Sequence, residues 1–150
     1  MNCSPAGLDL IKKYETFSPK AYWDVSGWSI GWGSHDVPGV TKDTVWTLEQ
    51  ADEALASHIP MIEMEIGKLV KVPLNQNQWD ALCCFGWNIW PGEWVGTHTL
   101  ALLNAGDYQG FADALLHWDI VSGKPNAGLL DRRTDERKLF LTPIATSGTV

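Results

Sequence analysis

Hydrophobic positions change period several times along the chain, and each change marks an element. Ser4 is placed as an N-cap with Pro5 at the first helical position, and Leu8, Ile11 and Glu15 follow at i, i+3 and i+7. A first helix is therefore expected from Pro5 to about Tyr14–Phe17. After the turn signal Ser26-Gly27, Trp28, Ile30 and Trp32 alternate with Ser29, Gly31 and Gly33, the period of two of a strand, within a small β region over residues 21–36. Thr47-x-x-Gln50 is a capping box that opens a long helix toward Leu69, which Pro60 should kink or split. Asn75-x-x-Gln78 opens another. Shorter helices are expected over 98–104 and 107–118, bounded by Gly106 and the turn Ser122-Gly123-Lys124-Pro125, and a last one over Leu129–Leu141. Helix dominates, so the fold class is α+β. A β lobe over about 18–45 and a helical lobe over about 70–141 plus the first helix should flank a cleft, within one domain spanning residues 1–150.

Glu15 stands out on this map because it shares a stripe with Leu8 and Ile11. A carboxylate on an apolar stripe near a helix C-terminus is disfavoured as an anion by burial and by the macrodipole, and a general acid needs its proton. Asp24 follows nine residues later in more polar surroundings. Two carboxylates in contrasting environments are the equipment of glycosidases. The strand after Asp24 presents an almost bare face, Ser29 with Gly31 and Gly33, which leaves room for a ligand and offers it one hydroxyl.

Glu15, eight intervening residues, Asp24 and then Ser29-Ile-Gly-Trp-Gly33 resemble the catalytic Glu, Asp and Thr of phage-type lysozymes, glycoside hydrolase family 24. Leu8-Ile-Lys-Lys-Tyr-Glu15, Pro73-Leu-Asn-Gln-Asn-Gln-Trp-Asp-Ala-Leu82 with Asn88, Thr97-His-Thr-Leu100 with Leu103-Asn104, and Gly128-Leu-Leu-Asp-Arg-Arg133 with Glu136 extend the resemblance over residues 7–141. It implies a lysozyme-like fold, with Glu15 as general acid, Asp24 as its ionised partner and Ser29 in the place of the water-positioning threonine. It also implies an arginine paired with Glu15, with Arg132 and Arg133 as the candidates; such a pair would oppose the burial and dipole effects. Many relatives place the threonine six residues after the Asp and follow the second glycine with His-Thr. Here Ser29 comes five after Asp24, which suggests a hairpin turn one residue shorter, and Ser34-His35 follows Gly33. Serine lacks the methyl that restricts threonine's rotamer.

Composition narrows the chemistry further. Among nine tryptophans, Trp28, Trp32 and Trp79 read as core, whereas Trp90 and Trp94, flanking Pro91-Gly92, are the better candidates to meet a sugar, with Asn88 beside them. Three cysteines, Cys3, Cys83 and Cys84, argue against a disulfide framework. The four histidines, His35, His58, His98 and His117, show no ligand spacing, so neither a metal nor another cofactor is expected. A net charge of −7 disfavours nucleic acid as a partner. No apolar run reaches the roughly 18 residues of a membrane span, and the N-terminus lacks the basic and apolar regions of a secretory signal. The tail Thr142–Val150 is uncharged, unlike a cationic membrane-disrupting helix.

These readings converge on a monomeric endolysin made in the host cytoplasm. It would be released by a holin and would cut peptidoglycan between N-acetylmuramic acid and N-acetylglucosamine, in the periplasm if the host is Gram-negative. A lytic transglycosylase, an inactive wall-binding module and a cysteine amidase using Cys83 or Cys84 stay open at this point.

Overall fold

A computed structural model describes residues 1–145; of the tail, residues 146–150 lie outside the described residues. Helix α1 spans Pro5–Glu15. Ser4 occupies its N-cap position, but the hydroxyl does not cap: it donates to Asp80, while the Ser4 N–H reaches the other Asp80 oxygen at 2.8 Å. Asp80 is fully buried, and Gln76 Nε2 gives its carboxylate a third donor at 2.8 Å. The hydroxyl therefore satisfies a buried carboxyl group, which is worth more than a cap that water could replace.

Strands β1 (Ser18–Asp24), β2 (Gly27–Gly31) and β3 (Ser34–His35) form an antiparallel sheet in the order β1-β2-β3. The segment after β3 folds back on β1, where Trp46 N–H donates to Pro19 O at 2.8 Å and Lys20 bridges Val45, so the small lobe extends beyond its strands.

Helix α2 runs unbroken over Leu48–Leu69 behind a complete Thr47–Gln50 capping box. Pro60 does not split it. The residue is exposed, so water can reach the carbonyl left without a partner, while Ile59, Ile62 and Ile66 keep the buried stripe continuous across it. Helix α3 (Gln76–Asn88) begins with the Asn75–Gln78 capping box and is the centre of the helical lobe, packed by α1, by α2 and by the last helix, α6 (Ala127–Leu141). Its run from Trp79 to Gly86 is entirely buried.

Between α3 and α6 come a 3-10 turn over Pro91–Trp94, α4 (His98–Asn104), α5 (Tyr108–Leu115) and a minimal hairpin of β4 (Ile120–Val121) with β5 (Lys124–Pro125). The turn at 122–125 was expected; its two-residue strands are too short to show a period. Helix α2 packs on the sheet, with Ala51 against Gly31, and on α3, with Ile62 against Gly86, so this helix connects the two lobes.

Candidate active site

Glu15 is the last residue of α1, half-buried, and its Oε1 accepts from Arg132 Nη1 at 2.8 Å. Of the two candidate arginines, Arg132 makes this contact; Arg133, one residue on and about 100° around α6, turns away. Arg132 also donates to Glu136 Oε1 at 3.2 Å and to the Cys84 carbonyl at 3.0 Å. Arg133 donates to Glu136 Oε2 at 2.5 Å, to the Trp118 carbonyl at 2.9 Å and to Asn88 Oδ1. Two guanidinium groups thus face two carboxylates, and Arg132, Arg133 and Glu136 are all buried. Burial pulls the Arg132 guanidinium toward neutrality, but its Cys84, Glu15 and Glu136 surroundings override it and hold the pKa above the ordinary arginine value.

Above this box the sheet places its chemistry on one face. Tyr22 of β1 lies directly across from Ser29 of β2, and Ser29 lies across from His35 of β3. Directly opposed residues share a face, so Ser29 sits between the other two. Asp24, two residues beyond Tyr22 on the same strand, extends this face to the hairpin tip. Asp24 is exposed, whereas Ser29 is 1% exposed. The face expected to be bare apart from Ser29 is therefore covered from both neighbouring strands. Ser29 Oγ lies 2.9 Å from His35 Nδ1.

Tyr22 was missed in the sequence. Burial, followed by the negative charges of Glu15 and Asp24, pushes its phenol pKa up, while a hydrogen bond with Ser29 pulls it down. The phenol is thus close to all three candidate groups. Its spacing two residues before Asp24 was the available signal.

The tip itself is strained. Val25 follows Asp24 with φ +47°, a left-handed conformation that a β-branched residue rarely adopts, and Ser26 N–H closes the turn onto the Asp24 carbonyl.

An open cleft of about 360 Å³ runs from Gly33, Ser34 and His35 to His58, Asn88 and Trp90. Glu15 adjoins it through Gly33: a Cβ on that glycine would lie 2.9 Å from the Glu15 carboxyl carbon. Trp90, 44% exposed, lines this cleft. Asn88 lines the cleft too, although its Oδ1 is committed to Arg133.

Trp94 does not belong with them. It is 1% exposed, stacks on Phe85 at 4.8 Å and donates Nε1 to the Ile89 carbonyl, so it is core. Conversely, Trp28 is only half-buried and packs edge-on against exposed Trp23 instead of in the main core. Trp32 is also half-buried, but it packs against the core and donates to Asp52. Trp79 is core, as expected.

Cys83 and Cys84 are fully buried in α3. A hydrogen bond with Cys3 and burial push the Cys83 thiol's pKa up, and burial does the same to Cys84, which removes the thiolate an amidase would need.

Comparison with known proteins bears on the family and the fold. The phage lysozyme family model matches residues 12–136. The chain is 39% identical over 146 residues to the endolysin of Salmonella phage P22, covering 95% of this chain and 99% of that protein. It is 38% identical over 145 residues to the endolysin of Bacillus phage B103, covering 95% of this chain but only 55% of that longer relative. Among solved structures, the muramidase domain of SpmX from Asticaccaulis excentricus superposes with a TM-score of 0.87 at 33% identity, covering 95% of this chain and 99% of that one. A mutant of P22 lysozyme superposes with a TM-score of 0.82 at 38% identity, again covering 95% and 99%. With its carboxylates, its arginine box and its α+β architecture in place, the chain belongs to the phage lysozyme family.

Proposed function

We propose that the chain is a peptidoglycan-degrading muramidase that hydrolyses the β-1,4 bond between N-acetylmuramic acid and N-acetylglucosamine, serving host lysis by a phage or prophage. The observation that carries this reading is the Glu15 carboxylate, held by Arg132 at the edge of the cleft and next to the sheet face that bears Asp24. Arg132 engages Oε1; among the described residues no hydrogen bond engages Oε2, which faces Gly33. Oε2 is then the oxygen that carries the acid proton.

Glu15 gives this proton to the glycosidic oxygen as the C–O bond breaks, so the leaving sugar departs as an alcohol. Asp24, exposed at the hairpin tip, stabilises the positive charge that develops on the sugar ring. Water adds to that carbon, positioned by the Ser29 hydroxyl, and gives its proton to the Asp24 carboxylate as the new hemiacetal forms; solvent then carries a proton back to Glu15. Trp90 offers an apolar face for a sugar ring. A monomer and holin-dependent release to the wall belong to the same reading.

Mass spectrometry of fragments from purified peptidoglycan tests it. Wild type should yield reducing muramic ends, and Glu15→Gln should fold normally while losing about 10²- to 10⁴-fold in rate. Anhydro-muramic ends would replace hydrolysis with transglycosylation by the same acid. Cut peptide stems, or wild-type rates from Glu15→Gln, would overturn the assignment.

A further inference from the structure

We infer that His35 is a positioning residue for the reaction, acting through Ser29. The inference rests on the muramidase reading and adds a group to it. Three observations carry it: the Cα register places His35 directly opposite Ser29, the side chains meet at 2.9 Å between Oγ and Nδ1, and the other ring nitrogen lies 3.4 Å from Ser26 Oγ. The imidazole is therefore held at both nitrogens by hydroxyls of the strand and turn it faces.

The consequence for Ser29 is rotational. A serine has three staggered χ1 wells and a freely turning hydroxyl, and it lacks the methyl that would narrow the choice. On this face the competing partner for Oγ is the Tyr22 phenol, across the opposite strand. The bond to Nδ1 selects one side-chain rotamer and fixes the direction of the hydroxyl hydrogen. If Nδ1 is the acceptor, Ser29 spends its hydrogen on His35 and offers lone pairs to water. If Nδ1 carries hydrogen, Ser29 keeps its own hydrogen for water. Either tautomer leaves a single, oriented hydroxyl. Fixing about three χ1 wells and about three hydroxyl directions to one of each limits the gain to roughly ninefold.

A double-mutant cycle on purified peptidoglycan tests this. His35→Ala should lower kcat by about five- to ninefold with KM within about twofold, because the hydroxyl aligns water and does not bind sugar. His35→Asn, whose amide can occupy the Nδ1 position, should recover most of the loss. In the Ser29→Ala background His35→Ala should cost little more, since its route of action is gone. Equal losses in both backgrounds, or an effect confined to KM, would overturn the positioning role while a dead Glu15→Gln variant left the muramidase reading intact. Wild-type turnover in Glu15→Gln would overturn both. His35 is exposed, so His35→Ala and His35→Asn should each leave the unfolding midpoint close to that of their own background.

Discussion

Beneath Glu15 the molecule is dry and fully partnered: Arg132, Arg133 and Glu136 are buried, and backbone carbonyls and Asn88 take the remaining guanidinium donors. Around Asp24 it is wet and thinly supported: the aspartate is exposed, and Val25 beside it is 94% exposed. One carboxylate is built into the junction of three helices, the other onto the tip of a hairpin. A buried ion network needs every member, because removing one strands the others without solvent. A solvated carboxylate needs little beyond a backbone to carry it. Damage to the buried box beneath Glu15 should therefore register as lost stability, and damage near Asp24 as lost activity in a protein that still folds.

The sharpest way to break this contrast is Glu136→Ala. It leaves two buried guanidinium groups with Glu15 as their only carboxylate, and should destabilise the fold by about 3–5 kcal/mol in urea unfolding. A loss below about 1 kcal/mol would show that water already reaches the box.

Asp24→Asn should shift stability by less than about 0.5 kcal/mol yet lower kcat by about 10²-fold or more. Ser29→Ala should lose less, about tenfold, in the same assay. Equal losses would promote Ser29 from positioning water to a direct part in the chemistry.

The smallest effect belongs to the turn. Val25→Gly removes the left-handed strain and should stabilise the fold by about 1 kcal/mol. A glycine turn also samples more conformations, so kcat should fall several-fold. A gain in both stability and rate would mean that the strain does nothing for Asp24.

The legible parts of the sequence were those fixed by neighbours in the chain. Thr47–Gln50 and Asn75–Gln78 close their capping boxes from residues three apart, and both helices start where those pairs placed them. Glu15 was legible because a charge broke an apolar stripe. The choice between Arg132 and Arg133 was not, because adjacent helical residues differ only in azimuth and the docking of α6 on α3 decides which one faces Glu15. Trp94 was misread for a similar reason: its flanking Pro91-Gly92 indicates a loop, but stacking on Phe85, nine residues earlier, pulls the ring inward. The link between Ser29 and His35 depends on strand register, which a two-residue strand cannot announce through periodicity.

Gly33 meets two unrelated demands in one residue. Its φ of +82° is one that L side chains rarely adopt, and a Cβ would press on a glutamate that is ion-paired with Arg132. In genetic terms, a lesion here has no single-step suppressor. Shortening Glu15 would relieve the crowding but leave the backbone strained, and relaxing the backbone would leave the crowding. A lineage that loses this glycine would need two compensating changes, so reversion is its shortest way back.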